Sequence, residues 1–90
     1  MIEIILSNQF KKDLKLAKKR GFNISHLETV INMLTNQQKL PDKYQDHNLM
    51  GKYKNFRECH IEPDWLLIYQ IDKNILSLLL FRTGTHSDLF

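Results

Sequence analysis

Apolar residues recur along the chain with two different periods, and the change of period predicts the order of the secondary structure. Residues 2–6 form a short β-branched run that is typical of a strand. Residues 8–20 have apolar side chains at helical spacing, and Gly21 suits the end of a helix. The expected buried stripe of this first helix is Phe10, Leu14 and Ala17, and its expected cap is Ser7 or Asn8.

A second amphipathic helix is predicted between residues 25 and 38. Ser25 and Glu28 have the spacing of a capping box, in which the two side chains accept hydrogen bonds from each other's backbone. Apolar residues then recur at helical spacing at Leu27, Val30, Ile31 and Leu34. Joined by a short link, the two helices are expected to form a hairpin that covers one face of a sheet.

Three further strands are predicted in the second half of the chain. Residues 39–53 lack periodicity and are expected to form a loop. Residues 54–65 predict a strand that ends in a tight turn at Glu62-Pro63-Asp64, and residues 65–71 and 75–82 predict an apolar antiparallel pair. The order β-α-α-β-β-β predicts an α+β fold, with the helix hairpin on one face of a small, mainly antiparallel sheet and the other face free.

The strand at residues 54–65 carries more polar side chains than folding requires. Because side chains alternate between the two faces of a strand, Phe56, Glu58 and His60 are expected to share one face. A histidine and a carboxylate on a half-buried strand suggest that the open face of the sheet supports chemistry.

Composition limits the class of protein. Ninety residues are enough for one domain, residues 1–90, with a modest core. The hydrophobic fraction of 42% excludes a disordered chain, and the net charge of +3 favours anionic partners. The single cysteine excludes an internal disulfide framework, and no apolar run is long enough to span a bilayer. We therefore expect a soluble, cytoplasmic domain.

The first helix has a basic outer face. Residues 11–20 hold six of the chain's 13 lysines and arginines and one acidic residue. Such a face is either simply solvated or in contact with nucleic-acid phosphates, where each bound lysine releases counterions. The residues that would contact RNA are Lys11, Lys15 and Lys18, with Lys52 from the later loop and Lys54 from the start of the strand that follows it.

Polar residues from three parts of the sequence are expected to meet at one end of the sheet. In antiparallel order, the end of the strand at residues 54–65 lies beside the start of the next strand and the end of the last. His47 lies in the predicted loop at residues 39–53, so this loop must fold over the sheet for His47 to reach the same end. The five residues are His47, His60, Asp64, Arg82 and His86.

These residue types suit the cleavage of RNA without a metal ion. The 2′-hydroxyl must lose a proton and the 5′-oxygen must gain one, and histidine can do both near neutral pH. Arginine offers two parallel donors to phosphate oxygens. Trp65, Tyr53 and Phe90 can stack on unpaired bases, although Trp65 is equally compatible with packing in the core.

Other functions fit the same residues less well. His47, His60, His86 and Asp64 together offer ligands for Zn²⁺, but no two of the histidines have a recognised ligand spacing. Cys59 is a weaker candidate nucleophile, because its strand neighbours predict a packed face. A basic module that binds RNA or the ribosome without catalysis is the remaining alternative.

Three blocks of the sequence resemble the signature blocks of YafQ-type toxins in the RelE/ParE superfamily of bacterial toxin–antitoxin systems. They are residues 43–49 (KYQDHNL), residues 56–69 (FRECHIEPDWLLIY) and residues 82–90 (RTGTHSDLF). The blocks match in order and spacing across residues 43–90. Residues 1–40 match only in pattern, as a strand and two helices.

The resemblance implies a RelE-like microbial RNase fold and a ribosome-dependent, metal-independent mRNA endonuclease that cuts in the A site and stops translation. It implies proton transfer by His47, His60, Asp64 and His86, with His86 as general acid and Asp64 or His60 as base. It also implies phosphate binding by Arg82, substrate binding by Phe90 and no cofactor. The ParE branch, which acts on gyrase, lacks these histidines.

The resemblance further implies several macromolecular partners. The first is a cognate antitoxin of the DinJ or RelB type, acidic and partly disordered until it binds. The others are mRNA in the ribosomal A site and ribosomal RNA, with DNA reached only through the antitoxin and no membrane. Residues 75–81 are more apolar than the family pattern leads us to expect, so we expect the antitoxin to cover them and to bind with nanomolar or tighter affinity.

Overall fold

The computed structural model describes residues 2–90 and contains a five-stranded sheet with two long helices packed against it. The strands are β1 (Glu3–Leu6), β2 (His47–Asn48), β3 (Arg57–Glu62), β4 (Trp65–Asp72) and β5 (Ser77–Gly84). The helices are α1 (Asn8–Lys19), α2 (Ile24–Thr35) and the short α3 (His86–Leu89), with 3-10 turns at Asp42–Tyr44 and Gly51–Tyr53. The predicted α+β fold is confirmed, and β2 and α3 are additions to the predicted order.

The strands lie in the order β1-β5-β4-β3-β2, so β1 and β2 form the two edges of the sheet. β1 runs parallel to β5, and the other three pairs are antiparallel. The register places His47 opposite Glu58, and Glu58 opposite Ile68. Residues that are far apart in the sequence are therefore aligned in one row across the sheet.

The two long helices begin at side-chain caps. The Ser7 hydroxyl accepts a hydrogen bond of 2.9 Å from the backbone N–H of Phe10, as predicted for α1. For α2 the predicted capping box is wrong. Asn23 is the N-cap and accepts from the backbone N–H of Ser25, so the helix begins one residue earlier and ends at Thr35.

The main core lies between the helices and the sheet. Apolar side chains from one face of α1 and α2 meet the central strands there, which follows from the helical period in the sequence. Its buried members include Phe10, Ala17, Leu27, Val30, Leu34, Leu67, Tyr69, Leu78 and Leu80. The helix hairpin thus covers one face of the sheet, as expected.

The opposite face of the sheet is not free, which corrects the prediction. Residues of the loop and the C-terminus fold over its centre and form a second small core of Tyr53, Leu66, Ile68 and Leu89. Phe56 and Phe81 stack beside it with ring centroids 4.5 Å apart. Residues 39–53, which the sequence predicts to form a loop, therefore include short regular elements, because their apolar residues are buried on the sheet.

The last strand also differs from the prediction. It begins at Ser77 rather than at residue 75, because Leu76 has a left-handed φ of 51° that belongs to the preceding turn. Leu78 and Leu80 are buried under the helices, so the apolar surface that we expected an antitoxin to cover is strongly exposed only at the start of residues 75–81, at Ile75 and Leu76. Further exposed apolar residues lie along the neighbouring edge strand, at Ile4, Ile5 and Leu6.

Among residues 2–90, no helix combines the length and the apolar character needed to cross a bilayer.

Candidate active site

Three histidines from separate elements lie side by side at one end of the sheet. His60, on β3, occupies the middle, with its ring centroid 6.5 Å from that of His47 on β2. On the other side of His60 lies His86, at the start of α3, and the centroids of these two rings are 5.7 Å apart. Three imidazoles at this spacing can hold and exchange protons with one bound substrate.

Glu58 lies beneath the histidines and is the functional candidate that sequence reasoning missed. Its side chain is only 4% exposed, and its Oε1 is 3.5 Å from His47 Nε2 and 3.6 Å from His60 Nε2. Its other oxygen, Oε2, finds no hydrogen-bond partner within residues 2–90. The signal was present in the sequence, since alternation already placed Glu58 and His60 on one face.

Asp64 holds His86 in place. The carboxylate oxygen Oδ1 accepts a hydrogen bond of 3.1 Å from the backbone N–H of His86 and lies 3.3 Å from its Nδ1. These contacts, the backbone hydrogen bond above all, hold the pKa of Asp64 below its usual value. Asp64 is therefore a carboxylate at neutral pH and orients the His86 imidazole with Nε2 available for proton transfer.

The short helix α3 is fixed at its N-terminus by a reciprocal cap. The Thr85 hydroxyl accepts from the backbone N–H of Asp88, and the Asp88 carboxylate accepts from the backbone N–H of Thr85. Arg20, just after α1, donates to both oxygens of Asp88 at 2.7 and 3.2 Å. This ion pair connects the helix that carries His86 to the body of the protein.

Replacing Arg20 with glutamine is expected to lower the Tm slightly near neutral pH. Hydrogen bonds from Arg20 are the main cause that holds the pKa of Asp88 well below its usual value. Because the folded-state pKa is depressed, the stabilisation is complete above about pH 4 and is lost as the pH falls further. Circular dichroism melts at about pH 7 and pH 2.5 should show the difference from wild type shrinking in acid. Lys19→Gln, at the neighbouring exposed position, serves as the control, and an equal loss at both pH values would contradict the assignment.

Arg82 does not contact the histidines. Its Nε and Nη2 each donate at 3.1 Å to the carboxylate of Asp13, which is buried on α1. This paired contact raises the pKa of the Arg82 guanidinium and fixes its plane. The structure therefore brings together four of the five predicted polar residues and places the fifth beside them, in a neighbouring groove.

That groove has a volume of about 430 Å³ and adjoins the histidines through Phe90. Phe90 is 62% exposed and lines the groove, and the centroid of its ring is 6.3 Å from that of the His86 ring. Arg82 and the exposed Lys52 line this groove together with Phe90, and so does the Asp88 carboxylate, which is paired with Arg20. Lys54 is exposed on the same loop.

Trp65 occupies a different position from the one expected of a base-stacking residue. Its side chain is buried, its Nε1 donates to the Thr83 hydroxyl at 2.9 Å, and its ring packs against Phe22 at 5.0 Å. Neither face of the indole is open to a base, so packing in the core is the role that these contacts support.

The lysines of α1 lie on the helical side of the molecule. Lys11, Lys15 and Lys18 are all exposed, and the same helix buries Phe10 and Ala17 against the sheet. The histidines lie on the opposite face of the sheet. These lysines therefore form a second basic surface, separate from the histidine cluster.

Two other kinds of chemistry, metal binding and attack by a cysteine thiolate, depend on residues of the same strand β3. Glu58, His60 and His86 can bring one ligand atom each within 4.8 Å of one another, a spacing that suits a metal ion and differs from the predicted set by including Glu58. Cys59 is fully buried, and burial raises the pKa of its thiol. A nucleophilic role for Cys59 is therefore contradicted, because the thiolate is disfavoured and inaccessible.

Comparison with known proteins shows likeness along the whole described chain. The family model for “Bacterial toxin of type II toxin-antitoxin system, YafQ” matches residues 2–90. The mRNA interferase toxin YafQ of Escherichia coli (strain K12) is 43% identical over 89 residues, which cover 98% of this chain and 95% of that protein.

Solved structures agree with this likeness. A metal-bound toxin from Helicobacter pylori superposes with a TM-score of 0.93 and 49% identity, and the match covers 100% of both chains. A chain of the E. coli DinJ–YafQ complex superposes with a TM-score of 0.90 and 42% identity, covering 100% of this chain and 99% of that chain.

Proposed function

The chain belongs to the YafQ family of toxins from bacterial type II toxin–antitoxin systems, and on this premise we propose that it is an endoribonuclease that cleaves mRNA in the ribosomal A site. The observation that carries the proposal is the cluster of His47, His60 and His86 around Glu58 and Asp64. Cleavage stops translation, which accounts for toxicity and requires a cytoplasmic location.

Proton transfer is divided between the two ends of the cluster. We assign His86 as the general acid that protonates the 5′-oxygen, because Asp64 holds its Nδ1 side and its ring is exposed to a substrate. His60 is the base for the 2′-hydroxyl, since Glu58 lies beside its Nε2 and stabilises the imidazolium that forms. Asp64 remains the alternative base, and His47 supports the same proton network.

The groove beside the cluster binds the substrate in this proposal. Arg82 and Lys52 neutralise the phosphates next to the scissile bond, while Phe90 stacks on a neighbouring base. Lys54 extends the same basic surface. The exposed Lys11, Lys15 and Lys18 bind ribosomal RNA, away from the reacting phosphate.

Cleavage assays with purified ribosomes test the proposal. Messenger RNA should be cut within translated codons when it is bound to ribosomes, and the same transcript without ribosomes should remain intact. Cleavage is detected by mapping the new 5′ ends. Equal cleavage of the free transcript would contradict the dependence on the ribosome, and no cleavage under either condition would favour a non-catalytic RNA-binding module.

A chelator is expected to leave cleavage unchanged, because the proposed chemistry uses only side chains. Added Zn²⁺ is expected to inhibit, since a metal held by Glu58, His60 and His86 would occupy nitrogens that must transfer protons. The assay is the ribosomal cleavage reaction with EDTA and then with excess Zn²⁺. Loss of activity in EDTA and its return with metal would instead establish a metal-dependent hydrolase.

An acidic cognate antitoxin of the DinJ or RelB type is expected to silence the toxin and, through its own DNA-binding part, to bring the complex to DNA. The exposed Ile4, Ile5 and Leu6 offer an apolar edge strand, and the lysines of α1 offer positive charge. Isothermal titration calorimetry of the toxin with its antitoxin should give a dissociation constant in the nanomolar range or below. Micromolar affinity or weaker would contradict this prediction.

A further inference from the structure

Arg57 binds both chain neighbours of His47. Its Nε and Nη2 donate to the Asp46 carboxylate at 3.3 and 2.8 Å, and its Nη1 donates to Asn48 Oδ1 at 2.7 Å. The side chains before and after one catalytic candidate are thus held by a single guanidinium. These hydrogen bonds, the one to Asp46 above all, raise the pKa of Arg57, so it stays charged.

Tyr69 anchors this group to the centre of the sheet. Its hydroxyl donates a hydrogen bond to Asp46, and its side chain is 1% exposed within the main core. Arg57 and Tyr69 are direct partners across β3 and β4. Burial, followed by the Asp46 contact, raises the pKa of Tyr69, which therefore remains a donor.

This support matters because β2 is too short to fix itself. It consists of His47 and Asn48 at the edge of the sheet, and among residues 2–90 β3 is the one strand that pairs with it. Side chains alternate along a strand, so holding Asp46 and Asn48 toward Arg57 turns His47 to the opposite side. On that side His47 Nε2 lies 3.5 Å from Glu58.

The tautomer of His47 is set at the same place. Its Nδ1 lies 2.6 Å from the backbone oxygen of Gln45. A carbonyl can only accept a hydrogen bond, so Nδ1 must carry a proton and Nε2 is the nitrogen directed at the cluster. Gln45 has a left-handed φ of 48°, and the carboxylate of the next residue, Asp46, is the one held by Arg57.

We propose that Arg57, Asp46 and Tyr69 form a positioning clamp that orients His47 for the cleavage reaction. The inference rests on the proposed function, but the clamp itself is defined by contacts on the helical side of the sheet, away from the substrate. Arg57 is therefore a positioning residue. A displacement of about 1 Å in a reacting group can slow catalysis by about 10²-fold, so the clamp has kinetic consequences.

The test compares Arg57→Lys, which keeps the charge but loses the planar fork, with Tyr69→Phe, which removes one donor. Both are expected to lower the single-turnover rate of ribosomal cleavage about 10- to 100-fold with little change in apparent affinity for ribosomes. In nitrogen-resolved NMR, the His47 imidazole should lose its single Nδ1–H form and approach the tautomer mixture of a free histidine. Ile71→Val, in the same strand as Tyr69 and outside the clamp, controls for small losses of stability.

Each outcome decides the proposal. A fall in rate with an unchanged His47 NMR signal would overturn it, because the loss would then be general destabilisation of the kind that Ile71→Val also shows. An altered His47 signal with an unchanged rate would also overturn it. If wild type itself cleaves no RNA, the proposed function fails, while the NMR signal of His47 still shows whether the clamp orients the ring.

Discussion

Replacement of His86 by alanine is expected to slow ribosomal mRNA cleavage by about 10²- to 10⁴-fold, the usual contribution of a general acid. His86 lies at the exposed end of the cluster, and its Nδ1 is occupied by Asp64, which leaves one nitrogen to serve the leaving oxygen. Growth arrest on induced expression should disappear with the same substitution. Transcript 5′ ends mapped in both cultures should show cuts inside codons only with the wild type.

His26→Ala is the matched control for this experiment. His26 is also an exposed histidine paired with a carboxylate, since its Nδ1 lies 3.1 Å from Glu62. It lies at the start of α2 and outside the cluster, so its loss should leave cleavage and growth arrest unchanged. Equal arrest with His86→Ala and wild type, with transcripts intact in both, would refute the nuclease and indicate binding to the ribosome or another target.

The fold could be predicted where periodicity was strong. The helical stripe of Phe10, Leu14 and Ala17 and the antiparallel pair β4 and β5 follow from spacing alone, and both are confirmed. The boundaries of α2 could not be predicted as well. Asn23 and Ser25 are both good caps, and the choice between them depends on where the chain leaves α1, which local sequence does not encode.

The site was predictable for residues on strands and much less so for residues in the loop. Alternation along β3 is enough to place Glu58 and His60 together. The position of His47 depends on Arg57 reaching Asp46 and Asn48, which are about ten residues earlier in the sequence and distant in any local pattern. Side-chain contacts of this range cannot be inferred from spacing.

Residue type alone also failed to distinguish the two roles of aromatic side chains. Trp65 and Phe90 both suited base stacking, yet Trp65 is 2% exposed and Phe90 is 62% exposed. Trp65 follows a tight turn at the start of an apolar strand, where burial is the default. Phe90 stands just after α3 and lines the groove.

Substitution of Glu58 by glutamine is expected to lower activity and raise stability together. The carboxylate is buried, and Oε2 has no partner within the described residues 2–90, so its charge carries an uncompensated desolvation cost. Glutamine keeps the shape and removes the charge. The free energy of unfolding should rise by about 1 kcal/mol, the low end of the cost of a buried polar group without a hydrogen-bond partner. In a domain of this size that corresponds to a Tm increase of roughly 4–8 °C.

Cleavage by the Glu58→Gln variant should fall by about 10- to 100-fold, as expected when a carboxylate that supports a reacting imidazole is lost. Without that carboxylate, the imidazolium formed at His60 when it takes the 2′-hydroxyl proton is no longer stabilised. Glu62→Gln is the control, because Glu62 is half-buried on the same strand and pairs with His26 instead. Calorimetric melts and cleavage rates should therefore move in opposite directions for Glu58→Gln and remain near wild type for Glu62→Gln. A lower Tm with unchanged cleavage would show that Glu58 supports the fold rather than the reaction, and His60 would then act as base without it.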